Sequence, residues 1–210
     1  MNRFYSLVLF ATIVSTSAMA QDEGGGFLSG GSGSSNQTTG LGLYLGYSFA
    51  KEMDVEFEDS DSTYNTTGAA FLGARYAYLF TERIGALAAM NYTLPREIDS
   101  IDFDNGSSSD VGGSFSILDF EFNAYFHAYQ GFFIYGGFNY SIPFDDLDAN
   151  DSEMKGGMGM QLGAGYVILP FLSADLGYKT QNFTVTADDE ESSTGRLWGM
   201  LLRFTFQLDM

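Results

Sequence analysis

The sequence predicts an all-β fold, an eight-stranded antiparallel up-and-down transmembrane β-barrel. Three observations point there. From Gly40 onward, eight segments alternate apolar and polar residues with period two; their connections alternate between short and long; and aromatic residues gather toward both ends of the apolar faces. Composition agrees with a β protein. The chain has 210 residues, with 26 Gly, 3 Pro, 20 Phe, 13 Tyr and 1 Trp, far too many aromatics for a segment that buries nothing. Lys plus Arg number 9 against 27 Asp plus Glu, for a formal net charge of −18, which argues against binding nucleic acid through a basic surface. With no cysteine, disulfide staples and thiolate metal sites are excluded. The longest apolar run beyond the N-terminus, around Val167 to Leu172, falls far short of the roughly 18 to 20 residues of a spanning helix.

Residues 1–20 read as a signal peptide. Asn2 and Arg3 form a cationic start, Tyr5 to Val14 an apolar stretch, and Ala18-Met19-Ala20 a small-residue cleavage pattern. Residues 21–39 are a Gly/Ser-rich flexible segment, and 40–210 form the barrel domain. The first strand segment, Gly40 to Phe49, sets Leu41, Leu43, Leu45, Tyr47 and Phe49 against Gly42, Tyr44, Gly46 and Ser48. The second, Gly68 to Phe80, carries Leu72, Ala74, Tyr76, Tyr78 and Phe80 opposite Arg75. The third, Ile84 to Leu94, alternates least clearly. In the fourth, Ser114 to Ala128, Leu118, Phe120, Phe122, Ala124 and Phe126 alternate with Asp119, Glu121, Asn123, Tyr125 and His127. Segments five to seven run Gly131 to Ile142, Gly157 to Ile168 and Phe171 to Val185. The eighth, from Arg196, sets Trp198, Met200, Leu202, Phe204, Phe206 and Leu208 against Gly199, Arg203, Thr205 and Gln207. Pro95, Pro143 and Pro170 fall at segment boundaries, where a missing N–H donor harms a ladder least.

Three connections are short: Thr81-Glu82-Arg83, Tyr129-Gln130 and Leu169-Pro170. The other four, about 50–67, 95–113, 143–156 and 186–195, are longer and hold 20 of the 27 acidic residues, so the negative charge collects at one end. Tight periplasmic turns and longer outer loops are what an up-and-down membrane barrel requires. Alternation alone does not say which face is inside. The aromatics help: Tyr78, Phe80, Phe126, Phe132, Phe171 and Phe206 lie at the short-turn ends, and Tyr47, Phe49, Tyr92, Tyr140, Tyr178 and Trp198 nearer the long-loop ends. Two belts bounding an aliphatic band mark the two faces of a bilayer.

Two stretches resemble a known family. Gly163-Ala164-Gly165-Tyr166, continuing through Pro170 to Gly177-Tyr178, is similar to a Gly-rich strand, short turn and following strand of the small eight-stranded outer-membrane β-barrels of Gram-negative bacteria, the OmpX, OmpA-barrel and porin-like β-barrel group. The end, Gly199-x-x-Leu202-x-Phe204-x-Phe206, resembles that family's C-terminal signal for the barrel-insertion machinery, although this chain closes Gln207-Leu208-Asp209-Met210 after its last aromatic. The resemblance covers residues 40–210. It implies a bacterial outer-membrane location, with outer-membrane lipid, lipopolysaccharide and the insertion machinery as partners, and a monomer. It also implies that the polar faces point inward. Their charges are Arg75, Asp119, Glu121, Asp175, Lys179 and Arg203, three of each sign. Inside a barrel just wide enough for side chains such charges are expected to pair, with Asp175 and Arg203 at similar heights on neighbouring strands, and Arg75 and Glu121 near in height.

Other chemistry has weaker signals. Some barrels of this size modify lipid A, which needs a hydroxyl activated by a His; the single histidine, His127, sits near the short-turn end without a Ser two residues on, and is expected to be structural. Asp102-x-Asp104 and Asp146-x-Asp148 have the alternating oxygens a hard cation prefers, so Ca²⁺ or Mg²⁺ at the outer loops is an expectation, but neither stretch completes an EF-hand. No resident cofactor is expected. The reading is a non-catalytic outer-membrane barrel, structural or surface-interacting, with a side-chain-filled interior and acidic outer loops; the alternatives are a lipid A-modifying enzyme and a narrow ion or solute pore.

Overall fold

A computed structural model describes residues 40–56, 61–104, 106–110, 112–129, 131–145, 153–186 and 192–208. The expected signal peptide (1–20), the Gly/Ser-rich segment (21–39), and Gln130, Asp146 and Asp148 lie outside the described residues. Within them the chain is all strand: β1 (Gly40–Ser48), β2 (Glu52–Glu56), β3 (Asp61–Thr66), β4 (Ala69–Leu79), β5 (Ile84–Phe103), β6 (Ser108–Asp110), β7 (Ser114–Tyr129), β8 (Phe132–Asp145), β9 (Glu153–Lys155), β10 (Gly157–Leu169), β11 (Leu172–Thr186) and β12 (Ser192–Gln207). Eight of these, in the order β1-β4-β5-β7-β8-β10-β11-β12, pair antiparallel, and β12 pairs back onto β1 to close the barrel. The closing seam is regular from Gly42 opposite Gln207 to Ser48 opposite Leu201. Closure leaves this ring without an unpaired edge.

The alternation that defines each strand decides its faces. Leu45, Phe122 and Leu162 point outward at 54%, 64% and 63% exposure, whereas Glu121 and Arg203 point inward at 1% each. Both aromatic groups lie on the outward face, with Tyr78, Phe80, Phe126, Phe132, Phe171 and Phe206 at one end and Tyr47, Phe49, Tyr140, Tyr178 and Trp198 at the other. Inward tyrosines fit because glycines stand across from them: a side chain at Gly163 would collide with the ring of Tyr135, and one at Gly73 with that of Tyr44. At the short-turn end, Gly131 takes a φ of 86° between β7 and β8, a left-handed conformation that favours glycine.

The long connections differ from the sequence expectation. Most of 50–67 is strand, because β2 and β3 prolong β1 and β4 upward, β2 pairing with β12 and β3 with β5. Likewise β5 runs on to Phe103 and pairs with β6, β8 runs to Asp145, and β9 pairs with β11. At roughly 3.3 Å per residue, the 20 residues of β5 are about twice the 9 to 11 needed to cross a bilayer. The physical reason is a change of polarity between the faces. Above the upper aromatics, Met53, Val55, Ile98, Phe115, Ile117, Met154, Phe183 and Leu197 turn inward and form their own core. Glu52, Glu56, Glu97 and Asp99 stay outside, exposed. Pro95 and Pro143 therefore lie within strands rather than at their boundaries. Pro95 sits where the β5–β7 register shifts, between Thr93 and Arg96, and Pro143 lies beyond the last β8–β10 pair, Ser141 with Gly157, so that in both places part of the ladder is already missing. A second inward core, with Tyr44, Phe71, Leu87, Tyr125, Phe133, Tyr135, Val167 and Leu201, occupies the membrane-level barrel.

Candidate functional site

The six charged residues predicted to face inward meet in one cluster at mid-barrel. Period two places Asp119 and Glu121 on the same face of β7, while β11 supplies Asp175 and Lys179, β12 supplies Arg203, and β4 supplies Arg75. Asp175 and Arg203 stand directly opposite in the β11–β12 ladder. Arg203 Nε donates to both carboxylate oxygens of Asp175 at 3.1 Å, and its Nη1 reaches Glu121 Oε2 at 3.1 Å. Lys179 Nζ bridges Asp119 Oδ2 at 3.0 Å and Glu121 Oε1 at 3.1 Å. Arg75 meets Asp175 at 3.6 Å and donates to Ser173 Oγ at 3.0 Å, so its carboxylate partner is Asp175 and not Glu121, which Lys179 and Arg203 occupy.

Neutral polar groups complete the cluster. The Tyr135 hydroxyl donates to Asp175 at 2.8 Å, Asn91 to Glu121 at 2.9 Å, and Gln181 to Asp119 at 2.7 Å; Ser141 also donates to Asp119. The Arg203 guanidinium lies 5.0 Å from the Tyr44 ring centre and 5.2 Å from that of Tyr135, while Arg75 lies 5.9 Å from that of Phe133. These rings supply the cation–π face that a desolvated guanidinium favours. With three charges of each sign the cluster is neutral, which a buried ionic group needs when water is excluded. Beside it, next to Asp119, Glu121, Lys179 and Gln181, is a cavity of about 20 Å³, room for about one water.

Arg96 is the inward cation that the sequence reading missed. The connection expected over about 95–113 includes it, yet it lies on β5 at 1% exposure and donates to Ala50 O, to Ser48 Oγ at 3.1 Å and to Thr66 Oγ1 at 3.3 Å. The signal was there: Arg96 and Ile98 alternate with exposed Glu97 and Asp99.

The other candidates lie apart from the cluster. His127 is near the short-turn end of β7; its backbone N–H donates to Arg83 O at 2.7 Å, and its Nε2 is buried without a hydrogen-bond partner among the described residues. Asp102 is at the upper rim, accepting from Asn65 Nδ2 at 2.8 Å. That bond and a second from Ser108 hold its carboxyl below the usual carboxylate range. Asp104 follows the end of β5. Among the described residues no group of three or more His, Asp or Glu is placed to hold a metal ion.

A barrel with its large apolar side chains outside and its ions inside is the inverse of a water-soluble one. So continuous an apolar wall needs hydrocarbon as its solvent, and the protein is an integral membrane β-barrel. The comparisons agree on the fold. OprG, an outer-membrane protein of Pseudomonas aeruginosa, superposes with a TM-score of 0.53 at 12% identity, over 84% of this chain and 99% of that one. Neisserial surface protein A superposes with a TM-score of 0.51 at 16% identity, over 81% of this chain and 98% of that one. No protein-family model matches the chain, and no curated protein matches it in sequence.

Proposed function

We propose that this chain serves as a non-catalytic outer-membrane protein with a structural or surface-interacting role, presenting an acidic strand extension beyond the bilayer. The observation that carries this reading is the closed interior. The neutral ion cluster fills the middle of the barrel, the aromatic core of Tyr44, Phe71, Tyr125, Phe133 and Tyr135 packs around it, and the apolar core of Met53, Ile98, Phe115 and Phe183 fills the extension above. An eight-stranded barrel leaves no room beyond its own side chains for a wide path. The surface left for function is the exterior, where Glu52, Glu56, Glu97, Asp99, Asp102 and Asp110 are exposed.

Reconstitution in a planar bilayer tests this. The refolded chain is expected to give no unit conductance, and steady single-channel steps would overturn the closed interior in favour of a narrow pore. The enzyme alternative is read separately, from lipid A mass in cells with and without the protein. An unchanged mass is expected, and a change abolished by His127→Ala would overturn the non-catalytic reading.

A further inference from the structure

Where β1 hands over to β2, the seam with β12 is interrupted. Phe49 N–H still donates to Met200 O at 2.8 Å, and pairing resumes only at Met53 opposite Leu197. Ala50, Lys51 and Glu52 thus stand opposite Trp198 and Gly199 alone, one residue too many on the first strand, which makes a β-bulge. The bulge is fixed from inside. Ala50 packs into the space a side chain at Gly199 would need, and Arg96 donates to Ala50 O and Ser48 Oγ.

On the outer wall the same interruption leaves a groove of about 500 Å³, within the roughly 300 to 1,000 Å³ of small-molecule sites. Its lining is graded along the barrel. Leu176 is lowest; Met200, Tyr178 and Phe49 follow; Trp198 packs against Tyr178 at 6.4 Å between ring centres; and Lys51 and Glu52 form the top. The groove opens on the face that hydrocarbon covers, so its occupant is a lipid. It lies at the level of the upper aromatics, so the lipid belongs to the outer leaflet. Lys51 is exposed and makes no ion pair among the described residues, on a rim where Glu52, Glu56, Glu97 and Asp99 would otherwise repel an anion.

We propose that this groove binds lipid A, with one acyl chain along Leu176, Met200, Tyr178 and Phe49 and a phosphate on the Lys51 ammonium. The proposal rests on the outer-membrane placement argued above. Aliphatic, aromatic and cationic side chains follow one another in the order in which an acylated sugar phosphate presents its own parts, and the bulge is what turns Lys51 toward that position. Glu52 opposes the phosphate, so its removal is expected to strengthen binding.

Trp198 is the only tryptophan of the chain and lines the groove, so its fluorescence reads occupancy directly. The refolded full chain is placed in vesicles of brominated phosphatidylcholine, which quench Trp198, and unbrominated lipids are added at equal mole fraction. Lipid A is expected to restore emission several-fold more than unbrominated phosphatidylcholine, and more than phosphatidylglycerol. Lys51→Gln is expected to reduce that excess to the phosphatidylcholine level, and Glu52→Gln to increase it. Anomalous migration of unheated samples shows that each variant is folded. Recovery by lipid A no greater than by phosphatidylcholine, or an excess that survives Lys51→Gln, overturns the site; equal recovery by phosphatidylglycerol overturns lipid A as its occupant. Absence of quenching by the brominated lipid itself overturns the membrane-facing wall as well, so the two failures are distinguishable.

Discussion

Arg203 is the residue whose removal the barrel should tolerate least. Its side chain is buried, ties Asp175 through two bonds of 3.1 Å and Glu121 through a third, and stacks near Tyr44 and Tyr135. Arg203→Met keeps much of the volume and removes the charge, leaving three carboxylates against two cations in the cluster. Breaking a buried ion pair from one side costs about 3 to 5 kcal/mol, because the abandoned charge stays in low dielectric. Asp175 retains the Tyr135 hydroxyl at 2.8 Å and Arg75 at 3.6 Å, and Glu121 retains Lys179 and Asn91. These remaining partners place the expected loss near the lower end, about 3 kcal/mol. Urea titration of the refolded protein in detergent micelles, followed by Trp198 emission and by gel migration, measures it. A cycle with Asp175→Asn should show coupling of about 1 to 3 kcal/mol, as for residues in one network. A single-variant loss below about 1 kcal/mol, the range of solvated surface pairs, or coupling near zero would refute the buried pair.

The remaining predictions concern packing, pH and orientation. Gly163→Ala places a methyl against the Tyr135 ring, which is anchored on Asp175, and should cost about 1 to 3 kcal/mol in the same titration, as overpacked sites do; no change would mean that Tyr135 moves freely. The Asp102 carboxyl is held low by Asn65 and Ser108, so its contribution is present above the unfolded value of about 3.9 and is lost as pH falls through the folded value. Amide exchange at Ile101 and Ser109, compared with Asp102→Asn, should show wild-type protection exceeding the variant near neutral pH and converging with it in acid; a difference that persists in acid would contradict this sign. A protease-cleavable tag at Gly106 should be cut on intact cells and one at Arg83 should not, since the first lies at the strand-extension end and the second in a short turn; the reverse pattern would invert the topology.

The membrane-level barrel was legible in the sequence because lipid enforces a strict rule there. Leu43, Leu45 and Tyr47 face out and Tyr44 faces in, as the alternation of the first segment requires, and the inward charges follow from the same parity. The extension looks like loops in the sequence because its acidity masks its period. Glu52-Met53-Asp54-Val55-Glu56 alternates as cleanly as any spanning segment, but with the apolar set turned inward. A reading that expects one apolar face throughout takes the change of solvent at the bilayer surface for the end of a strand. Which charges pair was only partly readable. Asp175 and Arg203 are neighbours in one ladder, whereas Lys179 reaches β7 across the barrel lumen, a contact that depends on barrel diameter and strand stagger rather than on local sequence.

That change of facing also fixes how deep the molecule sits. Just above the upper aromatics the outer wall passes within a few residues from Phe49, Leu94 and Trp198 to Glu52, Glu97 and Arg196. Sinking would draw this ring of charge into hydrocarbon, at a cost that grows with depth; rising would lift the lower aromatics, Phe80, Phe132 and Phe171, off the opposite interface. A packed extension cannot absorb either displacement by bending, as slack loops would. The surrounding lipid has to thin or thicken instead, so the barrel is expected to partition toward bilayers whose hydrocarbon thickness matches the distance between its two aromatic rings.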